Sequence, residues 1–94
     1  MRFDFDPAKD AANRLKHGVP LLFGSRVFDD PLFRVFASIR AIDGEERHKA
    51  VGYIEGKLWT AVYNERGTGL RLISVRRSNS SEQGNYDRDP EGSE

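Results

Sequence analysis

The sequence predicts an α+β fold: two N-terminal helices packed on one face of an antiparallel β-sheet (a meander), with a short C-terminal helix. Three observations predict it. Ala8, Ala11, Ala12 and Leu15 recur at i, i+3, i+4 and i+7, the spacing of one helix face. From residue 32 onward, four runs with strand character are separated by short turns rich in glycine and charge. Behind the last run comes "SNSSEQGNY", where capping residues precede Glu82.

Taken in order, "RFDF" places Phe3 and Phe5 on one side and reads as a short strand or extended lead-in. Asp6-Pro7 opens the first helix, since Asp6 can accept from free N–H groups and Pro7 lacks an N–H that would go unpaired there. Lys9, Asp10, Asn13, Arg14 and Lys16 are expected to face away from its apolar stripe. Gly18 ends the helix and Val19-Pro20 prevents its continuation. "LLFGSRVF", residues 21–28, is apolar nearly all round and reads as a second, more buried helix that Gly24 weakens. Asp29-Asp30-Pro31 follows, and two carboxylates past a helix C-terminus need cationic or N–H partners from elsewhere.

The strands are expected over residues 32–37, 47–54, 58–65 and 70–77, joined by "IDGEER", "EGK" and "RGTG". Ser78 or Ser80 is the expected cap of the last helix, and Gly84 weakens it. This domain spans residues 1–86. The acidic remainder, 87–94, reads as a disordered tail. With helices on one side of the sheet, the other side is free to be a working surface.

Charge and composition narrow the class. Apolar residues make up 37% and charged residues 32%, within the globular range. The formal net charge of zero conceals an asymmetry: residues 87–94 hold four acids and one base, leaving 14 bases against 11 acids in residues 1–86. A mildly basic domain permits an anionic partner. The chain has no cysteine, which excludes disulfides and thiolate metal sites and fits a reducing cytoplasm. There is no basic, apolar leader and no apolar run near 18 residues, so neither secretion nor membrane spanning is expected.

Candidate chemistry lies in the cations. Lys16 and His17 sit in a last helical turn, where the helix dipole alone favours them; a histidine near neutral pKa also moves protons and a lysine also holds phosphate. Strict alternation puts Arg71, Ile73, Val75 and Arg77 on one strand face and Leu70, Leu72, Ser74 and Arg76 on the other. Arginine on both faces of a strand end is either a solvated end or a phosphate site, because guanidinium is a permanently charged planar fork. Arg66 lies on the hairpin that pairs with this strand. Glu46-Arg47 and Glu65-Arg66 read as surface ion pairs or as site residues. Asp29-Asp30 with His17 is a weak metal signal.

Together, "FDFDPAK…N..KHGV", "VFDDP", "GEER…G", "ERG…RLISVRR" and a final "E…Y" resemble the BrnT family of toxins from type II toxin–antitoxin systems, over Phe3 to Tyr86. The resemblance implies a RelE-like fold and a metal-independent endoribonuclease, without cofactor, that inhibits translation. Its partners would be an RNA substrate and a BrnA-like ribbon-helix-helix antitoxin, with operator DNA reached through that antitoxin. Family-like positions are Lys16, His17, Glu46, Arg47, Arg66, Arg76, Arg77, Glu82 and Tyr86. Arg66, Arg76 and Arg77 would clamp the phosphate, and Lys16, Arg47, Arg71 and Tyr86 would contact RNA. His17 is the candidate proton-transfer group, with Glu46 or Glu65 as rival base. The departures are Phe5 where relatives carry Trp, Gly24-Ser25 in a usually alanine-rich segment, and a last helix poor in Arg and Lys. The last departure leaves open a weak or inactive member that acts as an antitoxin-binding co-repressor, or a plain RNA-binding module.

Overall fold

The computed structural model describes residues 2–38 and 46–88. Chain order is β1 (Arg2–Phe5), α1 (Pro7–His17), a 3-10 helix (Leu21–Asp29), β2 (Arg34–Ser38), β3 (Arg47–Ile54), β4 (Lys57–Arg66), β5 (Gly69–Arg77) and α2 (Ser80–Asp87). The strands form one sheet in the order β1-β5-β4-β3-β2. The expected class of two helices on an antiparallel meander, RelE-like, is therefore corrected in two respects. The sheet is mixed, because β1 adds to the edge of β5 in parallel register from Arg2 against Gly69 to Phe5 against Leu72. The second helix is a 3-10 helix rather than an α-helix. The expected "IDGEER" turn falls mostly, and the acidic tail almost wholly, outside the described residues.

The 3-10 form has a reading in the sequence. Leu21, Gly24 and Val27 recur every third residue, the period of that helix, and all three are buried. Gly24 is there for packing: a Cβ at this position would lie 2.5 Å from a Val75 methyl and 3.3 Å from the Ala61 Cβ. The helix thus lies close against β4 and β5. Its Leu21 and Val27 join Ala50, Ile54, Trp59, Ala61, Tyr63, Leu72 and Val75 in the core, with Phe3, Phe5, Phe23 and Phe28 packed around them.

α1 begins and ends as its capping residues dictate. The Asp6 side chain accepts from the Ala8 N–H, and Gly18 closes the helix at φ 79° with its N–H on the Arg14 carbonyl. Its orientation reverses the expected one. Ala8, Ala11, Ala12 and Leu15 are exposed, Leu15 to 90%, whereas Asn13 is buried at 5% exposure. The reason lies in β5. β1 leaves the sheet after Phe5, but β5 runs on to Arg77, so its outer backbone edge loses a partner. Asn13 replaces it. Its Oδ1 accepts from the Val75 N–H at 3.0 Å, and its Nδ2 donates to the Val75 and Val19 carbonyls, each at 2.9 Å. A side-chain amide here does the work of a strand residue. Asp10 adds a second polar anchor, accepting from the Leu21 N–H at 2.7 Å.

Asn13→Ala is expected to cost about 2–4 kcal/mol in denaturant unfolding, because it strands a buried N–H and carbonyls. Asn13→Asp is expected to cost at least as much, since it sets a carboxylate against those carbonyls. A loss below about 0.5 kcal/mol would contradict this account of how α1 is held.

Candidate functional site

The sheet has one face under the 3-10 helix and one turned away from it. β5 carries a bulge that decides which side chains reach the second face. Ser74 pairs with Val62, and Leu72 with the next residue of β4, Tyr63, so Ile73 is the extra residue. This re-phases the strand. Arg71 and Arg76, which strict alternation separates, fall on the same outer face, opposite Asn64 and Thr60, while Leu72 and Val75 share the core face. Arg77 pairs with Trp59 on the core-side face, and its guanidinium lies 5.8 Å from the Trp59 ring centre. It is therefore directed away from Arg71 and Arg76.

α2 covers one half of the outer face, and Glu82 fixes it there. Asn79, not the neighbouring serines, is the N-cap: its side chain accepts from the Glu82 N–H, and the Glu82 carboxylate accepts from the Asn79 N–H. The same carboxylate, 2% exposed, takes two hydrogen bonds from Arg76 at 2.8 and 2.6 Å. Thr60 and Lys49 add bonds at 2.9 and 3.1 Å. Burial pushes this carboxyl up, but Arg76, the Asn79 N–H, Thr60 and Lys49 outweigh it and hold the group at about 2. Arg76 is thus committed to α2.

Tyr86, at the other end of α2, donates to Asp30 at 2.7 Å and meets Tyr53 edge-on. Burial and the Asp30 bond push its hydroxyl up to about 12. Asp30 also accepts from the Tyr53 and Leu32 N–H groups, which supplies the partners its position demands. Tyr53 lies six residues from Arg47 along β3, roughly 20 Å, so Tyr86 stands far from the arginines of the open half.

That open half gathers cations. Arg47, Arg66 and Arg71 line a cavity of about 100 Å³ with Lys9, Asp6, Asn64, Leu72 and Ile73. Arg71 pairs with Asp4 of β1 at 3.3 Å, and the Arg47 Nε is buried without a hydrogen-bond partner among the described residues. An adjoining cavity of about 180 Å³ is lined by Lys9, Ala12, Asn13, Lys16, His17, Ile73 and Ser74. Lys9 and the bulge residue Ile73 line both. Burial first, then Lys16 and Arg76, hold the His17 imidazole below its ordinary value. It is therefore neutral near pH 7 and able to accept a proton.

Glu46 and Glu65 line a third cavity, of about 240 Å³, with His48, Asn64 and Arg66. Among the described residues no cluster of three or more His, Asp and Glu side chains is arranged to hold a metal ion.

Sequence reasoning misses Lys9, Asn64 and His48. Lys9 carried a signal: a cation in the first helical turn opposes the helix dipole, so something other than helix stability keeps it there. Asn64 and His48 carried none until the strand register set them beside Arg71 and Tyr63.

Fold and site together define a small domain of one mixed five-stranded sheet and a few short helices, with a cation-lined cleft beside the His17 imidazole. Over residues 5–82 the chain matches the family model described as ribonuclease toxin, BrnT, of type II toxin–antitoxin system. It belongs to that family. No curated protein matches the chain. Among the described residues no helix is long and apolar enough to cross a membrane.

Proposed function

We propose that this chain is the toxin of its toxin–antitoxin pair and cleaves RNA without a metal ion, on the open half of the sheet. The observation that carries the reading is the convergence of Arg47, Arg66, Arg71 and Lys9 on one cavity that adjoins the His17 cavity.

In the reaction, a ribose 2′-oxygen attacks the adjacent phosphorus while neutral His17 takes its proton. Negative charge grows on the non-bridging oxygens, opposite Arg47 and Arg71, where fixed cations count most. The bond to the 5′-oxygen breaks, and Lys16, on the wall of the His17 cavity, returns a proton to it. The products are a 2′,3′-cyclic phosphate and a free 5′-hydroxyl. Arg66 extends the cationic rim toward Glu46 and Glu65, the rival bases. The antitoxin in this reading is a BrnA-like ribbon-helix-helix protein through which the complex reaches operator DNA, and the site of action is the cytoplasm.

Purified protein should cleave RNA in the presence of EDTA and leave cyclic phosphate ends. The sign of the pH dependence follows from His17. The base works when neutral, so the rate should rise through a pKa below the ordinary histidine value and level off by neutral pH. His17→Ala should remove that limb and slow cleavage about 10²–10⁴-fold. An unchanged rate in His17→Ala, together with a loss in Glu46→Gln, would move the base to the glutamate cavity.

A further inference from the structure

α1 presents to solvent the face that a helix normally buries. Ala8, Ala11 and Leu15 form an apolar stripe, and nothing in the described chain covers it. The charges on this helix are Lys9, Asp10, Arg14 and Lys16. The one acid near its middle, Asp10, is already bound to Arg14 at 3.2 Å and to the Leu21 N–H. Lys9 and Lys16 have no ion-pair partner among the described residues. The stripe also borders the candidate site, since Lys9, Ala12 and Lys16 on the same helix wall the His17 cavity. A ligand seated on Leu15 and reaching for the two lysines would therefore overhang that cavity.

Exposed apolar surface rimmed by like charge marks a protein interface, and here the rim selects a partner with apolar anchors flanked by Asp and Glu. An RNA strand would use the lysines and leave the stripe bare. We propose that the antitoxin docks an acidic, apolar-anchored segment on the outer face of α1 and closes the His17 cavity from there. This rests on the toxin reading above for the identity of the partner. Leu15 is the central anchor and the lysines set orientation and salt dependence. Inhibition then comes from covering the cleft, with the toxin fold unchanged.

The test uses the full chain and the purified antitoxin encoded beside it, with binding and cleavage measured separately. Leu15→Glu and Ala11→Glu change exposed helix positions outside the proposed catalytic machinery, so melting temperature and any cleavage by free toxin should match the original chain. Each substitution should weaken antitoxin binding about 30-fold or more, the loss of an interface anchor, and cells should no longer be protected by co-expressed antitoxin. Binding within twofold of the original chain in both variants would overturn the proposal. So would self-association that Leu15→Glu abolishes while antitoxin binding persists, since the stripe would then serve a second copy. Failure of the original chain to cleave RNA would defeat the catalytic reading alone and leave the binding comparison intact.

Discussion

Arg76→Ala is expected to lower stability by about 3 kcal/mol, the low end of the range for breaking a buried ion pair. The low end applies because Lys49, Thr60 and the Asn79 N–H still hold the Glu82 carboxylate after the guanidinium is gone. At about 4–8 °C per kcal/mol for a domain of this size, the melting temperature should fall by more than 10 °C. Glu82→Ala should be milder, because the cations it releases are partly exposed and can turn to water. The same cluster fixes the acid limit. The Glu82 carboxyl lies below its unfolded value of 4.5, so its contribution is complete above that pH and is lost as pH falls toward 2. Arg76→Ala should flatten that limb of the stability profile. Loss of RNA cleavage in this variant with unchanged melting would contradict the assignment, because it would make Arg76 a contact to substrate.

The converse result is expected at the open half. Arg71→Ala and Arg47→Ala should each reduce cleavage about 10²–10³-fold, the usual loss when one fixed donor to a developing anion is removed. Stability should hardly move. Among the described residues Arg71 has only the exposed Asp4 as its ion partner, a contact worth under about 1 kcal/mol. RNA affinity should lose salt dependence as well, with a slope shallower by roughly one for each phosphate contact removed. Lys in place of Arg71 should restore the charge without the planar fork and recover only part of the rate. A full rate in Arg71→Ala, with normal melting, would remove this face from the chemistry.

Local signals made much of the fold legible. Asp6, Pro7 and Gly18 bound α1 within the sequence, and β3 runs over the strand-like run between turns that the sequence marks at 47–54. What local signals could not carry was the pairing of β1 with β5. Four residues contribute little on their own, and their partner lies more than sixty positions away. The 3-10 helix was present as a period of three at Leu21, Gly24 and Val27, but an apolar run masks that period. Asn13 looked like a solvent residue because a polar side chain on a short helix usually is one; only an unpaired strand edge gives it a buried task.

At the site, the types of residue were readable and their faces were not. One extra residue at Ile73 decides that Arg71 and Arg76 look the same way while Arg77 looks the other, and nothing in "RLISVRR" announces a bulge. The commitment of Arg76 to Glu82 depends on a helix that the sequence marks only weakly. Glu82 was visible as a first-turn acid; its place in the capping box with Asn79, and its role as the anion that neutralises Arg76, follow from where α2 lands.

A titration by NMR with an uncleavable 2′-O-methyl oligonucleotide, followed residue by residue, tests the account at its centre. Amide shifts should gather on Arg47, Asn64, Arg71 and the Ile73 bulge and extend to Lys16 and His17. Shifts centred instead on Tyr53, Tyr86 and Arg26, with the open half silent, would place the RNA elsewhere and contradict the account.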